Sequence, residues 1–322
     1  MFLGITSLLF CAASFYAVCY LKKSSAKFKE DHQEGFFARN APEAVFTGCL
    51  LFFLASMTLV IVSQNLGILW VAMEATTLVS APLIYFHRHE RSLEATWKYL
   101  LICSVGIALA LLGNLFLAVA APKGNVSLLV KDLVGQGALL NTPWLKAAFL
   151  FLFVGYGTKM GLAPFHTWLP DAHSEAPSVV SALLSGALLN CAFLCILRGY
   201  QVCIAAGLTN FCRELFVLFG LLSMIFAAIF ILGQRDYKRM LAYSSVEHMG
   251  ILSFGVGLGG MAVWGAMFHA INHSLTKAGL FFIAGNILSV YKTKLAADVH
   301  GVLKVLRASG ILWLIGFLAI TG

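Results

Sequence analysis

Long apolar runs separated by short charged clusters recur along the whole chain. A helix needs about 20 mostly apolar residues to cross the hydrocarbon core of a bilayer. Runs of that kind lie at 1–21, 44–63, 66–86, 97–121, 147–167, 177–198, 214–233, 241–259 and 262–290. A tenth begins near Ala308 and reaches Gly322 after about 15 residues, short for a crossing; its abrupt end predicts that the native protein continues. Only helices and closed barrels satisfy their backbone in lipid, and runs of this length are helical. The pattern predicts an all-α, multi-pass membrane bundle of about ten helices. Residues 1–20 lack a basic start and a small-residue cleavage site before Lys22, so they read as a retained membrane helix.

Composition sharpens the class. Of 322 residues, 60% are hydrophobic and 11% charged, whereas soluble domains run at about 25% charged. That excludes a cytosolic globule, a disordered chain and a nucleic-acid-binding module. The net charge of +8 is explained by topology. Alternate loops hold Lys22, Lys23, Lys27, Lys29, Arg39, Arg88, Arg91, Arg235, Lys238, Arg239, Lys292, Lys294, Lys304 and Arg307. The opposite side holds Lys123, Lys131, Lys146, Arg198 and Arg213. Fourteen against five puts the first set in the cytoplasm and residue 1 outside the inner (plasma) membrane. The eight cysteines form no C-x-x-C pair and behave as small apolar groups. No metal or cofactor site is expected, and any iron–sulfur chemistry belongs to a partner.

A few residues contradict the apolar pattern. Glu74, Lys159 and Lys277 fall well inside predicted spans, where a charge costs about 2.5–3.5 kcal/mol on insertion scales. Glu74 and Lys159 are opposite charges at comparable depth, so they are expected to meet; a static buried ion pair is the alternative. His269, His273 and Lys277 are spaced i, i+4, i+8 and share one helix face, each step rising about 6 Å. One or two waters bridge such a gap, and the stripe reads as a proton file; interhelical hydrogen bonding is the alternative. Gly155, Gly157, Gly161 and Pro164 surround Lys159, which predicts a broken helix there, and Pro82 predicts a kink in the Glu74 helix. Lys98 sits near a helix start and snorkels. The glycine-rich 255–260 segment ends a membrane helix and follows no strand, which excludes a phosphate loop. His166, Asp171, His173 and Glu175 lack metal-ligand spacing and read as a cytoplasmic helix–helix connection.

The run Gly157-Thr158-Lys159-Met160-Gly161-Leu162-Ala163-Pro164-Phe165-His166-Thr167-Trp168-Leu169-Pro170-Asp171-Ala172-His173-Ser174-Glu175-Ala176-Pro177-Ser178 resembles the antiporter-like membrane subunits of respiratory complex I and its relatives. The stretches 97–108 and 236–250 support the resemblance, and the nearest branch looks like component F of hydrogenase-4 and formate hydrogenlyase complexes. The resemblance implies a bundle of about fourteen helices built from two inverted five-helix repeats, with a broken helix at Gly161 and Pro164. It implies an N-terminal helix and loop at 1–43, a first repeat at 44–198 and a truncated second repeat at 199–322. It further implies that Glu74 tunes the pump lysine Lys159, and that His269, His273 and Lys277 form the central relay. Lys238 and His248 match positions linking the halves, with Lys98 in support. Several relatives carry an ionisable residue where this chain has Asn190, which orients water but does not titrate.

The resemblance implies a membrane-arm subunit of a redox-driven proton-translocating complex, hydrogenase-4/formate hydrogenlyase or NADH-quinone oxidoreductase in type. With no catalytic nucleophile, cofactor loop or metal cluster in the sequence, the chain is not expected to be the redox catalyst itself. Its partners would be other membrane subunits, a peripheral hydrogenase or dehydrogenase module with Fe–S clusters, and the lipid membrane, with no nucleic acid. Two alternatives are a subunit of a multisubunit Na+/H+ antiporter and an inert membrane anchor for a peripheral enzyme. The midplane charges argue against the anchor, which gains nothing from them.

Overall fold

The computed structural model describes residues 1–24, 29–30, 37–38, 40–122 and 127–321. The side chains of Lys23, Lys27, Lys29, Arg39 and Lys123, counted above for orientation, lie outside the described residues. Among the described residues the chain is all-α apart from one antiparallel two-residue pair, Lys29–Glu30 with Phe37–Ala38. Its helices are α1 (Phe2–Ser24), α2 (Glu43–Val62), α3 (Leu66–Ile84), α4 (Glu90–Ala120), the short α5 (Val130–Gly135), α6 (Thr142–Met160) and α7 (Trp168–Glu175). After them come α8 (Ser178–Leu183), α9 (Leu189–Ala205), α10 (Thr209–Leu232), α11 (Tyr237–Leu258), α12 (Met261–Tyr291), the short α13 (Val302–Val305) and α14 (Arg307–Thr321).

Eight spans among the described residues are long and apolar enough to cross a membrane, with α6 and α7 forming one and α8 and α9 another. The predicted 241–259 span is α11. At 22 residues it is longer than α2, but Glu247 and His248 stand near its middle and it is not among the eight apolar spans. The predicted tenth run is α14, which at 15 residues remains short. Pro82 stands inside α3 just before the tight turn Tyr85–His87 that ends it.

Local chemistry sets the boundaries. Asn65 caps α3 by accepting from the backbone N–H of Gly67 and Ile68, and Asp236 caps α11 by accepting from Lys238 and Arg239. His89 and Ser92 form a reciprocal capping box at the start of α4. The two capped starts also share a second pattern. Around Asn65 and Leu129, Leu66 N donates to Leu128 O and Val130 N to Gln64 O. Around Asp236 and Leu295, Tyr237 N donates to Lys294 O and Ala296 N to Arg235 O. Ser127 then bonds Asp132 and Leu129 N just as Thr293 bonds Asp298 and Leu295 N.

The span from α8 through α9 is the core, with 94% of its most apolar stretch buried, against 22% for α10 and 28% for α1. The outer helices turn Phe15, Leu232 and Trp264 outward, as lipid-facing helices should. One buried cation corrects the loop count. Arg198 lies within α9, and its guanidinium donates to Val60 O (2.8 Å) and Ile61 O (2.6 Å) at the end of α2. It neutralises orphan carbonyls at a helix terminus, so it does not mark a loop. Arg213 does the same for α11, donating to Gly257 O (2.7 Å) and Leu258 O. Between α8 and α9 the helix widens into a single π turn, Leu184–Leu188, which the apolar pattern did not signal.

Close approach of α4 and α6 depends on Gly155. A Cβ there would meet Ala110 N and Gly106 O at 2.6 Å each. Both contacts are backbone, so neither can yield. Gly155→Val is expected to lower stability by about 3 kcal/mol, the upper end for overpacking. Gly135→Ala, with open space at its Cβ, should change it by less than about 0.5 kcal/mol. Thermal unfolding in detergent checks both.

Candidate functional site

Helix α6 stops at Met160, and Gly161 closes it in the left-handed conformation, φ 85°, which glycine alone adopts without strain. Leu162–Pro164 is irregular before a tight turn, Phe165–Thr167, leads into α7. The freed groups find partners: Trp168 Nε1 donates to Thr158 O (2.8 Å), Leu162 N to Gly157 O (2.9 Å), and Ala163 N to Ser223 Oγ (2.9 Å). The break at Gly161 and Pro164 is therefore present, and it places Lys159 in the last turn of a helix. A cation there is favoured by the negative end of the helix dipole.

Lys159 is fully buried. Its Nζ donates to Tyr99 OH (2.6 Å) and Thr77 Oγ1 (2.8 Å), and lies 4.4 Å from the Tyr99 ring centre. Tyr99 OH shares a further hydrogen bond with Ser80 Oγ (2.6 Å). The expected meeting of Glu74 with Lys159 does not occur, because they form no ion pair within 4.0 Å. Glu74 Oε1 instead accepts from Ser104 Oγ of α4 (2.8 Å), and Oε2 is buried without a protein partner. Hydroxyl groups from α3 and α4 serve each charge separately. Thr77, Tyr99 and Ser104 were missed in the sequence because each is unremarkable alone.

The second cluster lies between α11 and α12. Lys277 Nζ donates to Leu241 O (2.9 Å) and Ser244 Oγ (2.7 Å). His248 Nδ1 and His269 Nε2 are 3.0 Å apart, and the His273 ring centre lies 5.5 Å from that of His248. His273 is fully buried, and neither ring nitrogen has a protein partner. The stripe of His269, His273 and Lys277 does share one face, with His248 of α11 completing it.

Asn190 joins the core to this cluster. Its Nδ2 donates to Gly186 O (3.0 Å) in the π turn and to Ser274 Oγ (2.5 Å) beside His273, while Oδ1 is buried and unpartnered. Glu74 Oε2, Asn190 Oδ1 and the His273 nitrogens are thus buried polar atoms unsatisfied by protein. Such atoms are where ordered water binds.

Ion pairs are found elsewhere, around α7. Asp171 takes Lys98 (3.0 Å) and Arg239 (2.7 Å), and Lys98 also takes Glu94 (2.5 Å). Glu175 takes Lys294 (2.8 Å) and His89 (3.6 Å). Lys98 is half-exposed and paired with both Glu94 and Asp171. Lys238 is buried, donating to Ser174 O (3.1 Å) and Ala176 O (2.6 Å) at the end of α7. His166, Asp171, His173 and Glu175 do not form a simple connecting turn, because α7 is helical and His173 is fully buried. No group of three or more His, Cys, Asp or Glu is placed to hold a metal among the described residues.

Comparison with known proteins gives a consistent result. The family model for the membrane region of NADH:quinone oxidoreductase and Mrp antiporters matches residues 63–322. A hydrogenase-4 component F homolog of Methylacidiphilum infernorum is 41% identical over 84% of this chain and 58% of its own length. Hydrogenase-4 component B of Escherichia coli is 31% identical over 98% of this chain and 46% of its own. The chain therefore spans about half the length of these relatives. Among solved structures, a chain of an archaeal respiratory membrane complex, the membrane-bound sulfane sulfur reductase, shares the fold. Its TM-score is 0.85 over 98% of this chain and 61% of that one, at 22% identity.

Tyr99→Phe removes one of the two acceptors of a fully buried ammonium. It should destabilise the protein by about 1–3 kcal/mol, with Ser80→Ala costing less because Lys159 keeps both its partners. Thermal unfolding of the two variants in detergent makes the comparison.

Proposed function

The chain belongs to the NADH:quinone oxidoreductase/Mrp antiporter membrane family, and from that premise we propose that it passes protons along Glu74, Lys159, Asn190, Lys277, His273, His248 and His269. The observation that carries this reading is the pair of fully buried lysines, Lys159 and Lys277. Each is held by hydroxyl or carbonyl oxygens with no carboxylate within 4.0 Å. A tight ion pair would fix a proton in place, whereas a lysine on neutral acceptors can give one up and take it back. A change in the charge or position of Glu74 alters how firmly Lys159 holds its proton. The released proton moves through water oriented by Asn190 towards Lys277 and His273. Half-exposed Lys98 and buried Lys238, both beside α7, support the route.

Two inverted five-helix repeats would pair α3 and α4 with α11 and α12, the helices that lie between the two halves of each matched pattern. The matched hydrogen-bond patterns at Asn65/Leu129 and Asp236/Leu295 support that division, with 44–198 as the first repeat, 199–322 as part of the second, and 1–43 preceding both. If the two patterns lie on opposite membrane faces, the repeats are inverted. The bias of basic side chains supports an outside position for residue 1 relative to the inner membrane. The names of the relatives support a membrane-arm subunit of a redox-driven complex. Its partners would then be further membrane subunits and a peripheral hydrogenase or dehydrogenase module carrying Fe–S clusters. Proton rather than sodium movement is favoured because the route offers amines and imidazoles, while hard cations take oxygen ligands.

The test places Glu74→Gln in the full-length subunit within its complex, in inverted membrane vesicles. Redox turnover should persist while internal acidification falls at least tenfold. Acidification equal to wild type in a fully assembled variant overturns the assignment.

A further inference from the structure

Cys203 of α9 and Cys212 of α10 stand on either side of the turn that joins these helices. The turn is tight: Leu208 N donates to Cys203 O (2.9 Å), Cys212 N donates to Leu208 O (3.2 Å), and Gly207 takes the left-handed conformation, φ 76°. One layer deeper, the rings of Tyr200 and Phe216 pack edge to face with centres 5.3 Å apart. That contact sets how the two helices are rotated against each other. Cys203 lies three residues after Tyr200, and Cys212 four before Phe216, so both thiols fall in the next layer towards the turn, on the facing sides. There the two side chains share a hydrogen bond, and both are buried. The structure holds them as free thiols.

We propose that Cys203 and Cys212 are an oxidation site, joined in the membrane by a disulfide that ties α10 to α9. Six of the apolar spans precede the turn, so it lies on the same face as residue 1. The outside position supported above for residue 1 then puts the pair in a compartment where disulfides form and persist, and the proposal rests on that orientation. The oxidant is a disulfide-bearing protein of that compartment. One cysteine thiolate attacks its S–S bond and releases one donor sulfur; the second cysteine displaces the other. The Cys203–Cys212 bond forms, the donor's bond breaks, and the donor leaves as a dithiol carrying the two electrons and two protons of the pair. Burial of both sulfurs places this exchange before α10 docks and shields the finished bond from reductants. A tie is useful at this place. The most apolar stretch of α10 is 22% buried, against 94% in the α8–α9 span. Yet Ser223 of α10 accepts from Ala163 N (2.9 Å) in the break beyond Lys159, and Phe216 packs on Phe153 of α6 with ring centres 5.1 Å apart. A weakly buried helix supports the broken segment, and the bond would fix its first turns to the best-buried span.

The test takes the full-length subunit in its complex from membranes prepared without reductant. The sample is denatured in the presence of N-ethylmaleimide, and its peptides are read by mass spectrometry with and without prior reduction. Cys203 and Cys212 should be alkylated at least tenfold less without reduction than with it, and a linked peptide should join them; Cys103 should react equally in both samples. Cys212→Ser should free Cys203 for alkylation in the unreduced sample. Reductant should lower the thermal unfolding midpoint of the wild type in detergent by a few degrees and leave that of Cys212→Ser unchanged. Equal alkylation of Cys203 and Cys212 with and without reduction in the wild type overturns the proposal. A separate variant, Gly135→Cys, reports the orientation: its site has open space, and the neighbouring Gly137 lies against Ala205 beside the turn. Labelling of this cysteine by a membrane-impermeant maleimide in intact cells supports the outside position, and labelling in inverted vesicles alone overturns it. In either case the state of the wild-type pair decides the proposal.

Discussion

The structure depends on how an ammonium is kept in a low-dielectric interior. Lys159 cannot be left bare there, and the chain supplies Tyr99 and Thr77 as neutral acceptors together with the carboxyl end of α6. Each provision constrains something else. A helix end in mid-bundle leaves orphan carbonyls, which Trp168 and the turn at Gly161 satisfy. Bringing Tyr99 within reach requires α4 to press against α6, which the missing side chain of Gly155 permits. The break in α6, the close helix pair and the hydroxyl pair are consequences of one buried charge.

Charge is divided between two zones. Around α7, carboxylates and cations meet directly, with Asp171 and Glu175 each taking two partners. Deeper in the bundle, lysines meet hydroxyls and carbonyls, and Glu74 stands apart on Ser104. A buried ion pair adds little net stability, but it would localise its proton. Here the opposite charges are kept apart, each on neutral hydrogen-bond partners. Asn190 fits this division, since it joins α9 to Ser274 of α12 without holding charge itself.

Much of this was legible in the sequence. The spans follow from apolar length, the break from Gly161 and Pro164, and the α12 stripe from its four-residue spacing. All of these are local signals. What escaped depends on neighbours distant in sequence. Thr77 and Tyr99 gain meaning only when α3 and α4 fold around α6. Arg198 reads as a loop cation until α2 places its last carbonyls beside it. Equal depth suggested a Glu74–Lys159 pair, but depth fixes one coordinate of three. The π turn at Leu184–Leu188 has no local signature at all. α11 shows the opposite error of a simple hydropathy measure, since its polar residues serve partners inside the bundle.

The most direct measurement follows redox turnover and internal acidification together, for wild type and Lys159→Ala, in inverted vesicles containing the complete complex. Turnover retained with acidification lost is the predicted result, and it would place Lys159 in a proton path coupled to a separate redox module. Unchanged acidification in a fully assembled variant would make the buried lysine structural and contradict the account.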